Sequence, residues 1–465
     1  MRALAGVRAL PGRGRALIGR TFRSLHIRNY RLWFFGQIVS TSGTWMQSVA
    51  QGWLVLRVTG SAIDLGVTVA LQFLPFLLFG PWGGVVADRF DKRQVLVATQ
   101  SLFAVQALVL GLLTLTGVVQ IWMVWVLAFL MGVVNVVDNP TRQSFAVEMV
   151  GPEDLANAVG LNSVIINSSR IIGPAIAGLL IATVSLSAAF LVNAVSFVAV
   201  IASLATMDVQ ALQRARPVPR AKGQVRAGLR YAWSLPDLRI PLLLLAVIGA
   251  LGYNFSVLLP LMAKVAFHKG GGTYGALLSA MGVGALAGAL IAASRRRPSR
   301  RLLTGSALAF GAFSLLVAWA PTLHLGMIAL VPMGAAGIIY VATTNSLLQL
   351  GAKASMRGRV MALWAMVFLG STPIGGPLAG FVAGRLGPRA ALALGGVATI
   401  VAAGWGTLAF RASSKRRRAA AGEPAGGVAL VTAQGEAFVA ARARDAGRPA
   451  AAAGARHRER SGEPL

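Results

Sequence analysis

The sequence predicts an all-α polytopic membrane protein with twelve transmembrane helices in two six-helix bundles. Three observations predict it. Hydrophobic residues fill 56% of 465 positions and the mean hydropathy is +0.68, more apolar surface than one or two water-soluble cores can bury. Apolar runs of about 20 residues recur along the chain, each long enough to cross a bilayer. The Lys and Arg residues fall in short clusters between those runs, the pattern left by the positive-inside rule. That distribution also disfavours a nucleic-acid partner as the meaning of the +30 net charge.

Taken in order, the chain opens on a basic arm, residues 1–30. Met1 to Arg31 carries eight Arg and no acid, superficially like a transit peptide. It lacks the apolar core of a secretory signal and reads as a cytosolic arm that sets orientation. The N-terminal bundle, 31–207, holds runs near 31–56, 62–87, 94–117, 120–141, 156–183 and 186–207. A polar linker follows at 208–239, broken by Pro217 and Pro219, in which GQVRAGLRYAWSL has the pattern of an amphipathic helix lying on the membrane surface. The C-terminal bundle, 240–410, holds runs near 240–263, 273–293, 302–320, 323–349, 357–384 and 389–410. The Ala-, Gly- and Arg-rich tail, 411–465, reads as disordered.

Alternating the connections between two sides fixes the orientation. One side receives the arm, Arg89/Lys92/Arg93, Arg142, seven Lys or Arg of the linker, Arg295/Arg296/Arg297/Arg300/Arg301, Lys353/Arg357/Arg359 and the tail. The other receives only Arg57, Lys264, Lys269, Arg385 and Arg389. Both termini are therefore expected in the cytoplasm. The halves also match one another: Gly84 with Lys92 and Arg93 recurs 204 residues later as Gly288 with Arg296 and Arg297, and IAG at 176–178 recurs 202 residues later as LAG at 378–380. Two matches at nearly one offset indicate a six-helix duplication.

Enzyme chemistry lacks its parts. There is no Cys and only four His, and neither HExxH nor GxSxG occurs, so no catalytic residue, metal or cofactor is expected. No GxxxxGK[ST] loop points to ATP as a driver.

In GVVADRFDKR, Gly84 to Arg93, five of the last six residues are charged in a chain that is 12% charged. A glycine there admits a neighbouring helix closely, Asp88 closes its helix, and the basic residues are placed to pair with an acid on another helix. Asp138, at the cytosolic end of the fourth run, is the expected partner of Arg93 or Lys92; the alternative is a plain i,i+4 pair with Arg142. In the first run Gln37, Ser40, Thr41, Thr44, Ser48 and Gln51 share one arc, with Gln47 beside it. A polar stripe in a bilayer faces protein or water, so it reads either as a central cavity wall or as interhelical hydrogen bonding. In the fifth run Arg170 falls near the midplane on the face of Ser163, Asn167, Pro174 and Gly178. It is expected to line the cavity and favour neutral or anionic substrates, the alternative being an Arg held by backbone carbonyls or neighbouring amides. Asp64 and Asp138 are the only transmembrane acids outside the charged loop, hence the candidates for proton coupling, with an Asp64–Arg57 pair as the other reading of Asp64.

Twelve helices in duplicated halves with a charged, glycine-led second loop resemble the major facilitator superfamily. Gly84, Asp88, Arg89, Lys92 and Arg93 match its Gly-x-x-x-Asp-Arg-x-Gly-Arg/Lys-Arg/Lys signature, departing at Asp91, where glycine is usual. NYRLWFFGQ (29–37), DNPTRQSF (138–145), EDLANAVGLNS (153–163), RIIGPAIAG (170–178) and RGRVMAL (357–363) look like the bacterial exporter branch that contains enterobactin and macrolide exporters. Gly173, Pro174 and Gly178 resemble the exporters' Gly-Pro-x-x-Gly-Gly in altered form.

The resemblance implies the major facilitator fold and a secondary active exporter of a drug, siderophore-like compound or other metabolite. It would work by alternating access and proton antiport, as a monomer in the bacterial inner membrane, with the loop cluster and Asp138/Arg142 as a cytosolic gate. The expected partners are the small molecule, protons and the lipid bilayer. A receptor or assembly scaffold on the same fold is the alternative.

Overall fold

The computed structural model describes residues 23–213, 224–295 and 298–420. The arm's residues 1–22, the linker's Pro217 and Pro219, Arg296, Arg297 and the tail from 421 lie outside the described residues. The described secondary structure is helical throughout. The N-terminal half comprises α1 (Arg28–Val58), α2 (Ala62–Arg89), α3 (Lys92–Thr116), α4 (Ile121–Gly151), α5 (Glu153–Thr183) and α6 (Leu186–Ala205). The linker helix α7 (Gln224–Ser234) leads to α8 (Pro236–Ala266), α9 (Gly271–Ser294), α10 (Arg300–Trp319), α11 (Leu323–Gly351), α12 (Ala354–Leu386) and α13 (Pro388–Ala420).

Side-chain caps start many of these helices. Ser61, Asp91, Ser185, Ser299 and Thr322 each accept the backbone N–H three residues on, satisfying a donor the first turn leaves open. Eleven of the described segments are long and apolar enough to span a membrane. The twelfth, α1, is 31 residues long but outside that set, because the polar stripe dilutes its apolar content. It is enclosed instead, with Val49, Ala50 and Val55 wholly buried.

Three boundaries differ from the sequence expectation. The fourth run was expected to end near 141, with Arg142 in a loop, yet α4 stays helical until Gly151, whose φ of 70° kinks it into α5. Phe145, Met149 and Val150 give the extension a buried face, and the Thr141 and Ser144 hydroxyls bond back to the carbonyls of Val137 and Pro140. α8 starts at Pro236, a residue suited to a first helical position. α13 continues to Ala420, into the segment expected to lack structure. The described residues up to Phe410 form one compact unit.

The connections at 89–92 and 351–354 and the end of α6 near 206 mark one end of the molecule, here the basic end; those at 59–61, 184–185 and 267–270 mark the far end. The halves meet through glycines nearer the far end. A Cβ on Gly275 of α9 would fall 2.7 Å from the Cα of Gly178 on α5, and one on Gly282 would fall 2.9 Å from the Arg170 carbonyl oxygen. The Ser279 hydroxyl donates to the Ile171 carbonyl at 3.1 Å. On the other flank Gly376 of α12 meets the Gly66 carbonyl of α2 and Gly380 meets Ala62. Toward the basic end the same face of α5 is uncovered: Ser163 is exposed and a Cβ on Gly160 would touch nothing within 4 Å. The bundles are thus closed at the far end and parted toward the basic end.

Candidate functional site

α4 places a carboxylate in the interior of the N-terminal half. Asp138 is fully buried and accepts from the Thr99 hydroxyl and the Gln100 amide, each at 2.8 Å, and from the Arg142 guanidinium one turn on. Arg142 also donates to Gln37 at 2.7 Å. Helices α1, α3 and α4 are therefore joined by one chain of charge-assisted bonds, the stronger class of hydrogen bond. Gln37 belongs to this network, which corrects its expected place on the cavity wall.

The charged loop is wired differently from the expected pairing of Asp138 with Lys92 or Arg93. Lys92 bonds Glu148 at 2.6 Å, both nearly buried. Arg93 donates to the carbonyls of Leu204 and Ala205 at 2.6 and 3.3 Å, where a cation complements the C-terminal end of α6. The helical extension of α4 explains the change: it carries Glu148 to Lys92 and leaves Asp138 two turns and more below. Gly84 is buried, and a Cβ on its neighbour Gly83 would fall 2.8 Å from Val136 Cγ1. Pro140 has no N–H to occupy the Val136 carbonyl, and Gly83 packs against that oxygen. Asp88 is partly buried at the end of α2, and Arg89 is exposed.

The polar stripe of α1 divides. Ser40 bonds Gln100 at 3.4 Å, Gln47 joins Gln106 and Asn193 at 2.8 and 2.6 Å, and Gln51 is buried. Thr41, Thr44 and Ser48 stay partly exposed; Thr44 and Ser48 bond their own helix backbone, and the Thr41 hydroxyl is buried without a partner. Ser40 and Gln47 thus follow the interhelical reading of the stripe, Gln51 is buried away from its expected place on the cavity wall, and Thr41, Thr44 and Ser48 are the members left to face a cavity.

On α5, Gly173 fits against Ser42, Trp45 and Met46 of α1, while the Pro174 carbonyl and Gly178 meet Gly275 of α9. The motif is thus a packing surface with one side in each half. Asn167 is partly exposed and bonds the Ser163 carbonyl at 2.8 Å. The Arg170 guanidinium lies over the Trp45 ring, 5.2 Å from its centroid, and Nε is buried without a hydrogen-bond partner. Among the described residues it forms no hydrogen bond to a backbone carbonyl or a neighbouring amide, the other reading of this Arg. Tyr253, at the break in α8, is within its electrostatic reach.

Asp64 stands in the first turn of α2, its N–H capped by Ser61 at 3.1 Å. Among the described residues no Asp64–Arg57 ion pair forms. At the far-end helix tips a cavity of about 650 Å³ is lined by Trp53, Arg57, Ile181, Gly271 and Thr273 among others; it lies away from the buried acids.

Glu148, Thr99, Gln100, Trp45 and Tyr253 were not singled out from sequence. Thr99 and Gln100 did carry a signal, since adjacent polar residues in an apolar run need interior partners. Glu148 is masked in sequence when the helix is ended too early.

Residues 20–425 match the family described as transmembrane secretion effector. The staphyloferrin A transporter of Staphylococcus aureus is 32% identical over 164 residues, 35% of this chain and 41% of its own length, so that match spans less than half of that relative. The multidrug efflux pump Tap of Mycobacterium tuberculosis is 28% identical over 364 residues, 74% of this chain and 85% of its own. Among solved structures, a bacterial homolog of the human lysosomal transporter Spinster superposes with a TM-score of 0.67 at 13% identity, covering 82% of this chain and 96% of that one. The nucleoside transporter NupG gives 0.67 at 10% identity, covering 82% and 99%. At these identities the structures establish the fold.

Proposed function

The chain belongs to the transmembrane secretion effector family of the major facilitator superfamily, a multi-pass membrane transporter, and from that premise we propose that it is a secondary active exporter. It carries a neutral or anionic small molecule out of a bacterial cell by alternating access, as a monomer in the inner membrane with both termini in the cytoplasm. The observation that carries this is the asymmetric contact between the halves: glycine-tight at the far end, uncovered along α5 toward the basic end. With the basic end in the cytoplasm, that is an inward-open transporter. The efflux pump among its relatives supports the outward direction.

Protons drive the cycle in this proposal. One proton entering at 100 mV supplies about 2.3 kcal/mol, enough for more than a tenfold gradient of a neutral substrate. Asp138 is the carrier of choice, because it is fully buried and its ion pair with Arg142 and bonds to Thr99 and Gln100 reorganise on protonation. Asp64 is second, being already used at a helix start. The loop cluster of Gly84, Asp88, Arg89, Lys92 and Arg93 acts as the cytosolic gate, with Lys92 and Arg93 bonded within their own half in this state. Asp88→Asn is then expected to slow turnover with little change in equilibrium affinity.

Everted membrane vesicles carrying the protein test the proposal. A pH gradient is imposed, a panel of anionic, neutral and cationic aromatic compounds is added, and both compound uptake and proton release are followed. Gradient-dependent uptake of a neutral or anionic compound, with matching proton release, is expected. Uptake that ignores the gradient for every compound, or no uptake of any, refutes it.

A further inference from the structure

Arg170 is an interior charge to which the fold gives no counter-ion. The interior acids are engaged elsewhere, Asp138 with Arg142 and Glu148 with Lys92. No Asp or Glu occurs between Asp237 and Glu423, so the facing half has none to offer at this depth. Among the described residues the guanidinium forms no hydrogen bond, and its Nε is shut off from solvent. A charge in such a place is stable only when something pairs with it.

The surroundings say what. One face of the guanidinium is spent on the Trp45 ring at 5.2 Å, which leaves the in-plane N–H fork, the geometry that grips a carboxylate through two parallel bonds. The opposite half supplies rings in place of charges. Tyr253 stacks on Phe310 with centroids 5.2 Å apart and meets Phe368 edge-on at 5.9 Å, and Phe368 stacks on Trp364 at 5.5 Å. The Trp364 indole N–H is a second buried donor with no partner. The face of α5 that bears Arg170 continues through Asn167 to exposed Ser163 and the open space beside Gly160, so the way in runs from the basic end.

We propose that Arg170 is the anion anchor of the transport site, and that the substrate is an organic anion with a flat aromatic body, a carboxylate or phenolate carried on a ring. This rests on the exporter reading and narrows its substrate class. The N-terminal half takes the charge and the C-terminal half takes the ring, so a bound substrate bridges the two parts that must move against each other.

Purified full-length protein in detergent micelles is titrated with 2-naphthoate, 2-naphthamide and 2-naphthyl-trimethylammonium, followed by tryptophan fluorescence. Naphthoate is expected to bind about tenfold or more tighter than the amide, with the cation weakest. Arg170→Gln removes the difference between acid and amide, and Arg170→Lys, which keeps the charge without the fork, retains part of it. Equal affinity of wild-type protein for acid and amide overturns the anchor, as does failure to bind naphthoate or an acid preference that survives in Arg170→Gln. If that variant does not elute as a folded monomer, the wild-type probe series and Arg170→Lys decide. Gradient-driven uptake in vesicles is scored separately: flux of neutral compounds without acid preference sinks the anchor and keeps the exporter, whereas acid-selective binding without flux does the reverse.

Discussion

The two halves share a skeleton and differ in chemistry. In the N-terminal half Gly132 of α4 packs on Gln72 and Pro75 of α2; in the C-terminal half Gly334 of α11 packs on Met281 of α9. Gly83 meets Val136 as Gly288 meets Ala335, and Gly178 meets Gly272 as Gly380 meets Ala62. Each pair places a glycine where a Cβ would strike the facing helix, the close approach that membrane helices use in place of a hydrophobic driving force. Onto this frame the N-terminal half loads buried ion pairs, Asp138–Arg142 and Lys92–Glu148, whereas the C-terminal half has, among the described residues, the partly exposed pair Asp237–Arg300 and an aromatic cluster around Tyr253. Duplication kept the packing and released the polar positions. We read the division as one of labour: charge that switches on one side, rings that hold substrate on the other.

The sharpest test of that division is the α4 pair. Asp138→Asn leaves Arg142 without its carboxylate inside the bundle, and breaking a buried pair costs about 3–5 kcal/mol. We expect a large fall in melting temperature in detergent, partly restored in Asp138→Asn/Arg142→Gln, with gradient-driven export lost in both. Full export by the double variant removes switching from this half.

The shared skeleton is tested by paired substitutions, Gly132→Ala and Gly334→Ala. The added methyl meets backbone and a proline ring at the first and the Met281 backbone at the second, neighbours that cannot swing aside. Overpacking of this kind costs about 1–3 kcal/mol, and the two should cost alike. A large effect in one half and none in the other means the halves are not packed equivalently.

How much of this was legible follows from which forces are local. Twelve runs, the duplication and the basic side are written in hydropathy and charge, which survive without tertiary contacts. The partner of Lys92 was not, because it depended on whether α4 ends at 141 or at 151: ten further helical residues exchange Asp138 for Glu148. The α1 stripe was visible, but its division was not, since facing amides such as Gln106 and Asn193 arrive from distant sequence. Arg170 stood out because a central Arg is costly wherever it points; its stacking on Trp45 required the fold.

The next effect down contrasts the halves directly. Side-chain exposure is 12% and 6% for Lys92 and Glu148, against 38% and 29% for Arg300 and Asp237. Lys92→Gln strands a nearly buried carboxylate and should cost about 1–3 kcal/mol, while Arg300→Gln, at a solvated pair, should cost about 0–1 kcal/mol. Urea or thermal melts of the two variants give the ranking. The reverse order contradicts the claim that charge is structural only in the N-terminal half.

The smallest effect concerns Asp64, which separates two jobs that an acid in the N-terminal half can do. It sits in the first turn of α2, three residues after the capping Ser61, where the helix dipole favours a negative charge. Asp64→Asn keeps the side-chain shape and loses that charge, a loss of about 0.3–1 kcal/mol at a helix start. With no ion pair to Arg57 to break, nothing larger is at stake in stability. If proton coupling runs through Asp138, the Asp64→Asn protein should also export at close to the wild-type rate in a pH gradient and release protons with unchanged stoichiometry. Loss of proton release in Asp64→Asn together with its retention in Asp138→Asn moves the carrier to the far end of α2. If both single variants keep full gradient-driven export, neither Asp64 nor Asp138 carries the proton.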